Sequence, residues 1–113
     1  MKIQTMKNDS VTTIALSGRF DSSDVPTFRD FVHTLSGEQE ENYVIDLKEV
    51  EYIDSGGLGC LVSFLRRVRQ NGGDIKIATL SDKVRAVFEL TRLHRIFEIY
   101  DESSAAVRSF STK

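Results

Sequence analysis

The sequence predicts an α/β domain, a mixed β-sheet of four to five strands with about four helices packed against it. Three observations carry the prediction. Short β-branched apolar runs alternate with stretches whose apolar residues recur at helical spacing. The first two runs are separated only by a short polar gap. Where the third run gives way to a helix, the chain places an acid, a hydroxyl and two glycines, Asp54-Ser55-Gly56-Gly57.

Residues 1–6 and 11–16 supply Ile3, Met6, Val11, Ile14, Ala15 and Leu16 around the polar Asn8-Asp9-Ser10, which reads as a hairpin. A helix follows over 24–36. Ser23 or Asp24 is its expected N-cap, Pro26 falls in its first turn, and Val25, Phe28, Phe31, Val32 and Leu35 form one stripe. Gly37 is the expected stop, with the acidic 38–41 as an exposed connection. Residues 43–47 are a strand interrupted by Asp46, which calls for a sheet end or a hydrogen-bond partner, and 50–53 stay extended up to Asp54. The next helix, 57–70, shows Leu58, Leu61, Val62, Leu65 and Val68 on one face and ends at Asn71-Gly72-Gly73. A strand over 74–80, a helix over 81–92 capped by Ser81, a short strand over 96–100 and a closing helix over 103–110 complete the series. Strands separated by single helices require crossover connections, hence parallel pairing, with the first hairpin adding an antiparallel strand.

The 113 residues suit one domain spanning 1–113. With 17 acidic and 15 basic side chains the net charge is −2, which argues against a nucleic-acid partner. One cysteine, Cys60, excludes an internal disulfide and fits a reducing compartment. No run approaches the ~20 apolar residues of a membrane span, and the first ten residues do not read as a signal peptide. The expected location is the cytoplasm.

The serine turn has two readings. Ser55 stands where an N-cap belongs, and Gly56 and Gly57 are poor helix formers, each about 0.8–1 kcal/mol worse than alanine. As a cap and turn the stretch is purely structural. Alternatively, the glycines leave first-turn N–H groups open, and these, with the helix dipole, favour an anion such as a phosphate on Ser55. Such a group adds about −1.5 to −2 charge.

The stretch from Val44 to Val107, with the turn Asp54, Ser55, Gly57, Leu58 and Gly59 and the upstream Leu16, Gly18, Phe20 and Asp21, resembles the STAS domains of bacterial anti-sigma factor antagonists. The resemblance implies the STAS fold and a partner switch. The unphosphorylated form binds an anti-sigma factor that is also a serine kinase, an ATPase of the histidine-kinase-like type, and so frees the sigma factor. Phosphorylation at the turn separates the pair, and a PP2C-type phosphatase resets it. By the same resemblance the docking surface is Asp21, Ser22, Ser23, Asp54, Ser55, Gly56, Gly57, Leu58 and Gly59. The family turn usually carries two consecutive hydroxyls, and here the second is Gly56, which leaves Ser55 as the expected acceptor. The alternative is a STAS subunit of a lipid-transport or other regulatory complex that is never phosphorylated.

Other chemistry is thin. Cys60 reads as a small core residue. His33 and His94 lack ligand spacing, and Arg66, Arg67 and Arg69 read first as a solvated helix face. No nucleotide loop or hydrolase motif assembles, so no enzyme, metal or cofactor is expected.

Overall fold

In a computed structural model, which describes residues 1–8, 10–35 and 41–111, the chain forms five strands and four helices in the expected order. They are β1 (Lys2–Asn8), β2 (Val11–Phe20), α1 (Val25–Thr34), β3 (Asn42–Ile53), α2 (Ser55–Gln70), β4 (Asp74–Ala78), α3 (Asp82–Leu90), β5 (Glu98–Tyr100) and α4 (Ser103–Ser109). The strands lie side by side in sequence order, with β1 antiparallel to β2 and every later pair parallel. The expected stop at Gly37 and most of the acidic connection fall outside the described residues.

The alternation of β3 divides the core. Tyr43, Ile45 and Leu47 face one side of the sheet, where they pack with Phe28 and Val32 of α1, Leu61 and Leu65 of α2, and Val84 and Phe88 of α3. Val44 faces the other side and meets Val11, Ala78 and Ala106 under α4. Phe64, which the apolar stripe of α2 omits, is buried and fits its ring between Phe28 and Tyr43. Val62, which the stripe includes, is only partly buried. The short helix α4 is pinned by a buried lysine. Lys76 Nζ donates to Ser109 Oγ at 2.6 Å and lies 4.2 Å from the centre of the Phe110 ring, so its charge is not left unpartnered in the sheet.

Several boundaries depart from expectation, among them the start of β5 at Glu98 rather than residue 96. The helix after the glycine turn starts at Ser55 rather than at residue 57. Strand β4 ends at Ala78 rather than 80, because Thr79 turns to a left-handed backbone (φ 62°) and gives its N–H to the Tyr100 carbonyl. Strand β3 runs unbroken through Asp46, whose carboxylate finds the expected hydrogen-bond partner in the Lys48 N–H.

Strand β3 outruns β4. It pairs with β4 only from Asn42 to Asp46, then continues against β2 as far as Ile53, opposite Phe20. The ends of β2 and β3 are therefore delivered together, and with them the starts of α1 and α2. The return from α2 to β4 is equally constrained, since a Cβ on Gly73 would lie 1.7 Å from the Glu41 carbonyl oxygen. Gly73→Ala is expected to destabilise the domain by about 2 kcal/mol or more, because backbone must move to admit the methyl group. Urea unfolding monitored by circular dichroism checks this.

Candidate functional site

The sequence expectation placed Ser55 at the N-cap of α2. The structure gives that position to Asp54. Its backbone is extended (φ −111°, ψ −174°), and its Oδ1 accepts from the Gly57 N–H at 3.0 Å. The reason is reach: an aspartate one residue earlier closes the same ring onto the third helical N–H. The Gly57 N–H is therefore not left open, as the anion-site reading supposed, because a carboxylate already occupies it. Ser55 becomes the first helical residue, exposed, with a hydroxyl that enters no hydrogen bond among the described residues.

The same carboxylate holds a second element. Asp54 Oδ2 accepts from the backbone N–H of Ser22 at 3.0 Å and from its hydroxyl at 3.1 Å. Ser22 opens a single 3-10 turn, Ser22–Asp24, that leads into α1. That turn has its own cap. Asp21 Oδ1 accepts from the Ser23 N–H and hydroxyl, and Asp24 reaches back to the Asp21 N–H. Of the caps expected for α1, Asp24 holds the N-cap position without a side-chain bond to the helix, and Ser23 lies inside the 3-10 turn that Asp21 caps. Asp54 also donates its own N–H to the Phe20 carbonyl at 3.3 Å. One residue thereby ties the end of β2, the start of α1 and the start of α2 into one clasp.

The glycines of the turn have separate causes. A Cβ on Gly57 would meet the Phe20 carbonyl oxygen at 2.6 Å, so the helix could not approach the sheet with any other residue. A Cβ on Gly56 would meet Ser22 Oγ at 2.7 Å and Ser22 Cα at 3.0 Å. The Ser22 hydroxyl fills the space that a second hydroxyl side chain in the turn would need. Gly59 is different: nothing lies within 4 Å of a Cβ built on it. It costs α2 about 0.8–1 kcal/mol relative to alanine, and no packing among the described residues requires it.

Electrostatics follow the hydrogen bonds. The Gly57 N–H, with help from Ser22, holds the Asp54 carboxyl below its ordinary value against some desolvation, and the Ser23 hydroxyl and N–H do the same for Asp21. Burial pushes the Cys60 thiol up. It also raises the Tyr43 hydroxyl, which donates to Glu41.

Of the residues expected to dock a partner, Ser22, Ser23, Ser55 and Gly59 are exposed, and Asp21, Asp54 and Gly56 are half-buried. Gly57 and Leu58 are buried and shape the site from beneath. Beside the clasp lies a groove of about 520 Å³ between α1 and α2. Phe28, Val32 and Phe64 line it, with Arg29 and Arg67 also in its walls. Ser55 and Gly59 open onto it, and so does Cys60, which is half-buried rather than a core residue. The arginines read as one solvated cluster have different settings. Arg69 bonds Asp74 and the Ile96 carbonyl, Arg67 faces the groove, and Arg66 is exposed.

The model of the STAS domain family matches residues 2–106. The chain belongs to the STAS domain family. Among curated relatives, the anti-sigma-B factor antagonist of Bacillus subtilis is 30% identical over 108 residues, covering 96% of this chain and 98% of its own. The fold of this STAS domain is shared by a STAS domain protein from Planctomyces limnophilus (TM-score 0.88, 21% identity, 97% and 98% of the two chains). It is shared too by the Bacillus cell fate determinant SpoIIAA. The unphosphorylated form of SpoIIAA matches with a TM-score of 0.75 at 19% identity, covering 99% and 100% of the two chains. Its phosphorylated form matches with 0.64 at 18%, covering 96% and 99%. Among the described residues no helix is long and apolar enough to cross a membrane.

Two substitutions separate clasp from hydroxyl. Asp54→Ala is expected to lower the melting temperature by several degrees through the lost cap and the freed Ser22 turn. Ser55→Ala is expected to change stability by no more than about 0.5 kcal/mol, because its hydroxyl caps nothing. Acid sensitivity carries the same signature. Asp54 and Asp21 are more acidic folded than unfolded, so their stabilisation is present above the unfolded carboxylate range and is lost as pH falls through their folded values. Chemical denaturation between about pH 5 and pH 3 is expected to show a shallower loss of stability in Asp54→Asn than in the unsubstituted chain.

Proposed function

We propose that this STAS domain is an anti-sigma factor antagonist that acts by partner switching, with Ser55 as the phosphoacceptor. The unphosphorylated chain binds an anti-sigma factor that is also a serine kinase of the histidine-kinase-like ATPase type. Phosphorylation of Ser55 releases it, and a PP2C-type phosphatase restores the first state, all in the cytoplasm. The observation that carries the reading is the exposed, uncommitted hydroxyl of Ser55 on a turn whose geometry is fixed by Asp54 instead. A kinase can reach it without unfolding anything, and modifying it removes no internal hydrogen bond. The names of the curated relatives and the two forms of SpoIIAA support the same reading.

Magnitudes favour an effect on docking over an effect on the fold. A dianion about 6 Å from a partner's carboxylate repels it by about 1.4 kcal/mol in water but by about 5 kcal/mol at the lower dielectric of a protein contact. The second figure corresponds to more than a thousandfold in affinity. On the free chain the phosphate stays in water at the positive end of α2, where the dipole offsets part of its proximity to Asp54. Gly59 supports the same view, since a helix position kept bare without an internal reason suits the close approach of another backbone.

The unphosphorylated-subunit reading draws on Gly56, where the second family hydroxyl is missing. The packing of Ser22 Oγ against Gly56 accounts for that residue without it.

Incubation with ATP and the purified anti-sigma factor kinase encoded in the same genome is expected to add one phosphate, located at Ser55 by tandem mass spectrometry and absent from Ser55→Ala. Ser55→Ala is expected to bind the kinase persistently, and Ser55→Glu at least about a hundredfold more weakly than the unsubstituted chain. Binding without phosphorylation would favour the unphosphorylated-subunit reading. Gly59→Ala is expected to stabilise the free chain by about 0.4–1 kcal/mol while weakening the complex, measured by urea unfolding and calorimetric titration.

A further inference from the structure

The groove between α1 and α2 is larger than a serine switch needs. Its α2 wall is formed by Ser55, Gly59, Ser63 and Arg67, each four residues after the last, so they lie along one side of the helix. Arg29 and His33, also four apart, face them from α1. From Ser55 to Arg67 the wall is about 18 Å long, the length of about three helical turns. Its floor is apolar. Although the whole chain is net negative, this trough gathers two guanidiniums, and neither Arg29 nor Arg67 is in an ion pair among the described residues. Arg29 is close enough to act electrostatically on the Cys60 thiol within the groove.

We propose that this groove seats an amphipathic helix of the anti-sigma factor, with its apolar side on Phe28, Val32 and Phe64 and its acidic flank between Arg29 and Arg67. The proposal rests on the partner-switching reading and names the partner chemistry of that same site. Small side chains on the α2 wall let a helix backbone come close, the apolar floor matches the i, i+3, i+4 face of such a helix, and unpaired guanidiniums complement carboxylates. Ser55 stands at one end of the trough. A phosphate there competes with the incoming acids for Arg29 and repels them, so the switch and the docking element share one charge arrangement.

The test uses the full chain and the purified anti-sigma factor from the same genome. The double variant Arg29→Glu/Arg67→Glu is expected to raise the Kd about a hundredfold or more and to weaken its salt dependence. Lys48→Glu/Arg66→Glu, exposed sites outside the groove lining, is expected to stay within about threefold. In the unsubstituted chain Cys60 serves as reporter: its reaction with an aromatic disulfide reagent is expected to slow at least about tenfold when the anti-sigma factor is saturating. This second readout stands even if the charge-reversed variant folds poorly. Binding by Arg29→Glu/Arg67→Glu within threefold of the unsubstituted chain, together with unchanged Cys60 reactivity in the complex, would overturn the groove while leaving partner switching intact. A free chain that dimerises with Cys60 already protected would also overturn it, assigning the trough to a second copy. Failure of the unsubstituted chain to bind the anti-sigma factor at all would overturn both readings.

Discussion

The Asp54 carboxylate is the constraint from which the rest of the site follows. One oxygen caps α2 through the Gly57 N–H, and the other holds the Ser22 turn that opens α1. Its backbone N–H is tied to the end of β2. A long β3 makes this geometry available by outrunning β4 and finishing beside Phe20. Because the cap is supplied from residue 54, the hydroxyl of residue 55 is released from structural duty and faces solvent. The fold thereby separates the residue that holds the turn from the residue available for chemistry.

That separation explains the composition of the turn. Gly57 is required by the approach of α2 to the Phe20 carbonyl, and Gly56 by the Ser22 side chain. Gly59 is required by nothing among the described residues, and it borders the groove between α1 and α2. Charge is graded across the same surface. The carboxylates of Asp21 and Asp54 lie at the clasp, and Arg29 and Arg67 line the trough beside it. On the proposed reading, a phosphate at Ser55 would fall between these two fields, where a change of charge would redistribute attraction and repulsion above the core that includes Leu58 and Leu61.

Much of the fold was legible because its periodicities are clean. The stripes of α1 and α3 and the alternation of β4 mark their elements, and Ser81 caps α3 as expected, accepting from the Val84 N–H. Boundaries failed where a side chain competed for a backbone role. Serine and aspartate are both good caps, and choosing Ser55 over Asp54 required knowing where β3 ends. The aspartate three residues before Gly57 was a usable signal, since that spacing closes a cap ring. Phe64 was missed because the stripe was traced through Val62, although Phe64 lies three residues after Leu61 on the same buried face, where its ring meets Tyr43. Thr79 could not have been read, because its left-handed backbone follows from the tertiary bond to Tyr100. The groove was partly readable, since the four-residue rhythm of Ser55, Gly59, Ser63 and Arg67 is in the sequence, but its partnership with Arg29 and His33 depends on how α1 lies against α2.

The most direct measurement is an amide NMR comparison of the chain carrying biosynthetically installed phosphoserine at position 55 with the unmodified chain. A clasp that holds the turn independently of Ser55 predicts shift changes confined to residues 21–24, 54–60 and the walls of the groove, with the sheet resonances and the thermal midpoint unchanged. Shifts spreading through β3 and β4, or a large fall in the midpoint, would contradict it, because the hydroxyl would then be part of what holds the fold together.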